Sequence, residues 1–333
     1  MIPKTFHRAL RSWFRKNGRD LPWRRTHDPY AVMVSEFMLQ QTTVAAVIPY
    51  FERWMRAFPD VHSLARADEH DVLKLWQGLG YYSRGRNLLR TARELSERFD
   101  GKIPRELPVL RRLPGIGPYT AAAIAAFAFD ECVPVLDANI IRVLARLTGF
   151  QKPVTTANGK LFLERTALGF LPESGGRAHA SALMDLGATI CKAGLPDCTV
   201  CPVRRFCLAK APEKIPVKPP RKSLLHERDV RGFAIRGDSI FLMPSDGPRW
   251  RGLWLLPRAR PGAKPLLEIT FAVTRHRIRM EVIRARPSKA WTAFPLSDLP
   301  PMPTPHRKAV ERLRETQGHP RNHRARPRKF AKH

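Results

Sequence analysis

The chain has 333 residues, enough for one large domain or two smaller ones with a buried core. Its 59 Lys and Arg against 29 Asp and Glu leave a formal charge of +30, a field that concentrates polyanions. Nucleic acid is the commonest such partner; charge alone would equally suit ribosomal-type RNA or an anionic membrane, whereas the near-average apolar and charged contents exclude a disordered chain.

Arg8, Arg11, Arg15 and Lys16 interrupt the first apolar residues, so no secretory h-region is read there, and no run approaches the roughly 18 apolar residues of a membrane span. Residues 6–207 read as almost entirely helical. Val44, Val47, Ile48, Phe51, Trp54 and Met55 recur at helical spacing within residues 29–58, and Leu88, Leu89, Ala92, Leu95 and Phe99 make a further stripe. Pro118 opens a helical run over 119–129, where its missing N–H costs nothing, and runs over 140–147 and 178–190 follow. Residues 211–222, rich in proline and lysine, predict an extended linker. Strands are predicted over 230–235, 240–243, 253–256 and 278–283, with a last helix over 306–314. The expected organisation is a helical domain over 1–210, the linker, a smaller α+β domain over 223–315, and a basic disordered tail over 316–333.

Four of the five cysteines lie between Cys191 and Cys207, which points to a ligand set in a reducing compartment rather than to disulfides; the cytosol, with its nucleoid, is the expected location. Cys191, Cys198, Cys201 and Cys207 give C-x6-C-x2-C-x5-C, and four thiolates can hold a [4Fe–4S] cluster or a tetrahedral zinc. Zinc sites usually pair two short arms, and this sequence has one. Lys192, Arg204 and Arg205 would make the loop a basic surface for phosphates. Cys132 stands alone and reads as a core thiol.

Leu113-Pro114-Gly115-Ile116-Gly117-Pro118-Tyr119-Thr120 lies between two helical patterns. Gly115 and Gly117 permit a tight turn, and the N–H groups opening the next helix point at any anion that approaches. Asp137, in Leu136-Asp137-Ala138-Asn139, either caps the helix that begins there or serves chemistry, or does both.

Hairpin, aspartate and cysteine loop in this order resemble the helix-hairpin-helix superfamily of DNA glycosylases. Ser35-Glu36-Phe37-Met38-Leu39-Gln40-Gln41-Thr42, Gly78-Leu79-Gly80-Tyr81-Tyr82-Ser83-Arg84 and Leu21-Pro22-Trp23-Arg24 narrow the resemblance to the MutY-type adenine DNA glycosylases, over roughly residues 5–210. The resemblance implies a mainly α glycosylase region, a Nudix-like α+β C-terminal domain and a [4Fe–4S] cluster. It also implies a monomer acting on double-stranded DNA with 8-oxoguanine·adenine or guanine·adenine mispairs. Glu36 would be the general acid, Asp137 would stabilise the sugar cation, Asn139 would support both, and Tyr119 would sit beside them. Gln41 and Tyr81 would wedge into the duplex, Gln40 and Thr42 would meet the opposite strand, and Trp23, Arg24 and Leu39 would border the extruded adenine. Phe37, Met38 and Leu39 beside Glu36 predict desolvation that raises its pKa. Bifunctional relatives carry a lysine where Tyr119 stands, so hydrolysis without strand cleavage is expected.

The sequence departs from this pattern in its C-terminal part. Arg251-Gly252-Leu253-Trp254 resembles the usual segment, but Val273-Thr274-Arg275-His276 stands where relatives carry a Phe-Ser-His lesion-reading loop, leaving Thr274 and His276 as the candidates for that role. No Nudix catalytic box is present, so pyrophosphate hydrolysis is not expected, and Ser181 occupies a position where relatives carry a longer amide or acid. The competing readings are an endonuclease III-like pyrimidine glycosylase, opposed by Tyr119 and Gln40-Gln41-Thr42, and a non-catalytic mismatch-binding module, opposed by the retention of Glu36 and Asp137.

Overall fold

The computed structural model describes residues 4–217, 223–247 and 249–316. The chain divides into two units, one built from Met1–Asp68 and Ser83–Pro220, the other from Glu69–Tyr82 and Arg221–His333.

The first unit is all helical. Its helices are α1 (Lys4–Asn17), α2 (Pro29–Leu39), α3 (Val44–Ala57), α4 (Val61–Ala65), then, past α5 (Glu69–Trp76) of the other unit, α6 (Ser83–Phe99), α7 (Leu107–Leu110), α8 (Pro118–Phe129), α9 (Ala138–Leu147), α10 (Ala157–Gly169) and α11 (Gly176–Thr189). The alanine-rich α8 and the apolar α2 lack a polar face, so both are enclosed by their neighbours. Asp28 opens α2 by accepting from the N–H groups of Tyr30 and Ala31, and Pro29 fills its first position. Because α2 is a core helix, its single carboxylate, Glu36, is carried into the interior with it. α9 is strongly amphipathic: Ile140, Val143, Leu144 and Leu147 pack with Leu183 and Leu186 of α11 and Phe6 and Leu10 of α1.

The apolar spacing read within 29–58 forms two helices, separated between Leu39 and Val44, where Gln41 takes φ 57°. One sequence expectation changes here. The expected extended linker begins as a 3-10 turn over Pro212–Lys214, and Ile215 is buried in the core with its carbonyl held by Arg146 Nε at 2.9 Å. Residues 218–222, and the basic tail from 317 onward, lie outside the described residues. No helix among the described residues is long and apolar enough to cross a membrane.

The second unit is α+β, with β1 (Leu225–Phe233), β2 (Ile235–Arg236), β3 (Ser239–Pro244), β4 (Trp254–Leu255), β5 (Leu267–Val273), β6 (His276–Arg284), β7 (Thr292–Pro295) and α12 (Thr304–Thr316). β6 lies between β1, to which it is parallel, and β5, to which it is antiparallel; β3 pairs antiparallel with β2, β4 and β7. Ala309, Val310 and Leu313 of α12 share a core with Ile240, Leu242, Met280 and Val282. The sequence reading found the main strands and the last helix, and missed β2, β5 and β7. β5 was legible: Leu267, Ile269, Phe271 and Val273 alternate with Glu268, Thr270 and Ala272, a period of two.

Gly187 allows α11 to lie against the start of α9. A Cβ there would stand 2.7 Å from Asn139 Cβ and 2.9 Å from its carbonyl oxygen, a collision with backbone that no rotamer relieves. Gly187→Ala is therefore expected to cost about 1–3 kcal/mol, read from the denaturation midpoint; parental stability would show that the two helices can separate freely.

Candidate active site

Glu36, Asp137, Asn139, Tyr119, Trp23, Arg24, Leu39, Gln40, Gln41 and Thr42, far apart in sequence, line a single cavity of about 530 Å³. Glu36 is 4% exposed, and its Oε2 has no hydrogen-bond partner. Burial is the main force pushing its carboxyl from the usual 4.5 up to about 7; the hydrogen bond from the Tyr119 hydroxyl opposes this, Asp137 adds to it, and the Arg24 charge opposes it. The Tyr119 hydroxyl is itself held well above its ordinary value, first by burial and then by Glu36 and Asp137, so it is a donor and not a base.

Asp137 caps its helix and also lines the cavity. Oδ1 accepts from Ile140 N–H at 2.6 Å, capping α9, and Oδ2 accepts from Asn139 Nδ2 at 2.7 Å. Helix cap and side-chain bond together fix the direction in which the carboxylate faces the cavity. Asn139 Oδ1 in turn accepts from Arg142 Nη2 at 2.8 Å, and the same guanidinium donates to the Gly187 and Cys191 carbonyls.

The sequence reading missed several arginines that hold the site together. Buried Arg84, in the Gly78–Arg84 motif, donates to the carbonyls of Phe37, Met38 and Gln40 and to Thr42 Oγ1 at 3.1 Å. These are the free carbonyls at the end of α2 together with the turn carrying Gln40 and Gln41, so Arg84 shapes that turn. Arg177 donates to the carbonyls of Arg24, Thr26 and Phe127, tying the Trp23 segment to α8 and α11. Asp185, whose side chain is fully buried, receives Arg19 Nε at 2.8 Å and Arg24 Nη1 at 2.7 Å. The only signal for these roles was charge at helix-facing spacing, which sequence cannot distinguish from a solvated surface.

The hairpin places Gly115 at φ 77°, where a Cβ would stand 2.7 Å from Asn87 Cβ and 3.0 Å from Phe37 Cε1. Gly117 is the N-cap of α8 with open space around it, no side-chain cap and Pro118 next, so the first N–H groups of α8 are free for an outside acceptor. Tyr81 lies in the second unit, 43% exposed at φ 46°; its neighbour Tyr82 donates to the Met302 carbonyl at 2.8 Å. Also in the second unit, Thr274 and Arg275 form the two-residue turn of the β5–β6 hairpin, with Thr274 at φ 53°. The sequence reading left Thr274 and His276 as loop residues; His276 instead opens β6, and its Nδ1 contacts Glu227.

Cys191, Cys198, Cys201 and Cys207 line one cavity of about 220 Å³ together with Arg146 and Arg204. Burial, reinforced by the other three thiols, pushes Cys201 up to about 11, against an opposing hydrogen bond from Val203. Arg146, 2% exposed, donates to Cys191 Sγ at 3.2 Å and to the carbonyls of Lys192 and Gly194, so the loop is anchored to α9. Among the described residues no group of three or more His, Cys, Asp and Glu is arranged to hold a single ion. Cys132 is half-buried, with its thiol raised chiefly by burial.

The family described as HhH-GPD superfamily base excision DNA repair protein matches residues 34–162. The adenine DNA glycosylase of Rattus norvegicus is 43% identical over 214 residues, covering 62% of this chain and 42% of that protein, so the chain spans less than half the length of that relative. The adenine DNA glycosylase of Buchnera aphidicola subsp. Acyrthosiphon pisum is 37% identical over 274 residues, covering 80% of this chain and 78% of that one. Among solved structures, a thermostable thymine-DNA glycosylase is similar at a TM-score of 0.57 and 27% identity, covering 62% of this chain and 94% of its own.

Asp185 provides a stability test. Burial alone would raise its pKa, but the hydrogen bonds from Arg24 and Arg19 override this and hold it below the usual 3.8. Its contribution is therefore complete above about pH 4 and fades as pH falls through the lower folded value. Asp185→Asn is expected to cost about 3–5 kcal/mol near neutrality, because two arginines lose a buried partner. The deficit against the parent should shrink in acid; a deficit constant from pH 7 to pH 2 would refute the assignment.

Proposed function

The chain belongs to the adenine DNA glycosylase family, and on that premise we propose that it is a monofunctional DNA glycosylase hydrolysing the N-glycosidic bond of adenine mispaired with 8-oxoguanine or guanine. The observation that carries this reading is the pairing of a buried, proton-holding Glu36 with the Asp137 carboxylate on one cavity. A base inside a duplex is out of reach, so the nucleotide must leave the stack, at a cost of a few kcal/mol. Gln41 and Tyr81 are the side chains proposed to fill the gap, with Gln40 and Thr42 on the opposite strand. Trp23 and Leu39 supply apolar walls for an extruded purine, and Arg24 a polar edge.

Adenine departs poorly as an anion. Glu36 gives its proton to a ring nitrogen as the bond from that base to the sugar breaks, the electron pair going to the base. The cation left on the sugar faces the negative charge of Asp137, and water adds to the anomeric carbon, surrendering a proton to a carboxylate or to solvent. One acid holding a proton while its neighbour stays charged is the division of labour of glycoside hydrolysis. Tyr119 offers no amine to attack the sugar, which favours hydrolysis without strand cleavage. The N–H groups at Gly115 and Gly117 and the opening of α8 would receive a phosphate, and Thr274 and His276 remain the proposed readers of the opposite base.

The four thiols fit a [4Fe–4S] cluster: they share one cavity, sense one another's charge, and make up the all-cysteine donor set that such a cluster takes. Bound there, the cluster would supply a rigid cross-link for residues 191–207. Cys198→Ser is expected to lower bound iron and visible absorbance in the purified protein together with the melting temperature; full iron occupancy in that variant would remove Cys198 from the set.

Single-turnover base release from duplexes with 8-oxoguanine, guanine or cytosine opposite adenine tests the whole reading. Glu36→Gln should lose about 10²–10⁴-fold in rate, and the parental rate should fall as pH rises through about 7, where the carboxyl gives up its proton. Without alkali, the strand should stay intact. Release of a pyrimidine in place of adenine, or a parental rate in Glu36→Gln, would overturn it.

A further inference from the structure

A second basic feature of the first unit takes no part in the base cavity. Lys4, Arg8, Arg11 and Arg15 recur every three or four residues, so they share one face of α1, opposite the fully buried Phe6 and Leu10. Together with His7, Phe14 and residues from 169–174 they border a cavity of about 620 Å³ that has no lining residue in common with the one around Glu36.

The charge on this face is almost uncompensated. Glu173 approaches Lys4 at 4.0 Å, with both side chains about nine-tenths exposed, and among the described residues Arg8, Arg11 and Arg15 have no ion pair. Arg11 is already fixed in place: its Nη2 donates to the Ser174 carbonyl at 2.5 Å. Its Nε, however, is buried without an acceptor, and Nδ1 of the adjoining His7 is buried without a hydrogen-bond partner. A buried N–H left without an acceptor is destabilising, and an incoming oxygen would relieve that cost. Burial and then the Arg11 charge lower the pKa of His7, which keeps its ring uncharged near neutrality, so the three guanidiniums and one ammonium carry the field.

We propose that this face of α1 is a phosphate-binding site for the backbone of duplex DNA, distinct from the cavity that takes the base. The stripe advances about 16 Å from Lys4 to Arg15 at 1.5 Å per residue, and a duplex strand carries one phosphate per roughly 3.4 Å of axis, so several phosphates lie within its span. A planar guanidinium presents paired N–H groups matched to phosphate oxygens, and the run of such groups along α1 suits a backbone whose charges recur at a fixed short interval. Such a site holds DNA by releasing its counterions and reads no sequence. The inference rests on DNA being the substrate but not on adenine being the base removed.

The test measures binding of the full chain to an undamaged duplex across a range of salt concentrations, so its outcome is independent of base excision. Arg8→Gln/Arg15→Gln alters two exposed side chains, and adding Arg11→Gln removes the third arginine. The slope of log affinity against log salt should fall by about 0.9 for each phosphate that is no longer neutralised, hence by roughly 2 in the double variant and by up to about 3 in the triple. At saturating protein the single-turnover rate of whichever base is released should stay within twofold of the parent. A parental slope in the double variant, with its melting temperature intact, would overturn the proposal.

Discussion

A carboxyl group deprived of water, with one oxygen lacking any hydrogen-bond partner, is the constraint around which the helical unit is arranged. Left in solvent, Glu36 would ionise well below neutrality; on a helix whose residues from Tyr30 to Met38 are all buried, its carboxyl is pushed up to about 7. The unfolded chain releases that proton near 4.5 and the folded chain near 7, so native stability declines across this interval as pH rises. At about 1.4 kcal/mol for each pH unit the decline amounts to roughly 3 kcal/mol. On the proposed role of Glu36, a core helix bears that cost to keep a proton available for the departing base.

Chemistry on one helix needs its counterpart on another, and the structure achieves this with donors more than with carboxylates. Asp137 is aimed by the first turn of α9 and by Asn139; Asn139 is held by Arg142, which also spans Gly187 and Cys191. Arg84 closes the end of α2, and Arg177 fastens the Trp23 segment. Each of these arginines satisfies carbonyl oxygens that an all-helical fold leaves unpaired at helix ends. The surplus of positive charge is thus partly internal. A count of 59 Lys and Arg against 29 Asp and Glu overstates the charge facing a polyanion, because several guanidiniums spend their N–H groups on the protein's own backbone.

Much of this was legible in the sequence, for identifiable reasons. The residues gathered on the base cavity lie in contiguous motifs, Ser35 to Thr42 and Leu21 to Arg24, and those motifs are short enough that a helix or turn fixes their mutual geometry. Asp137 was legible as a cap because the α9 pattern begins right after it. Asp185, Arg84 and Arg177 were not, since each acts across 40 or more residues and nothing local separates a buried ion pair from a surface one. The break between α2 and α3 coincides with the polar run Gln40 to Thr43, where carbonyls at the end of α2 turn to a guanidinium from α6, a partner that local sequence does not reveal.

The C-terminal unit shows the opposite balance. Its strands follow from period-two alternation, yet the residues singled out for recognition sit differently from a reading loop. A two-residue turn with Thr274 left-handed leaves little backbone to adapt to a base, and His276 is drawn to Glu227 at the start of a strand. Glu227 also receives Arg249, which stands beside Trp250. The same acid thus ties the hairpin to an aromatic and a cation, two groups that pack well against purine faces. On the proposed reading, Thr274 and His276 would therefore act together with side chains assembled across β1, β6 and the segment before β4.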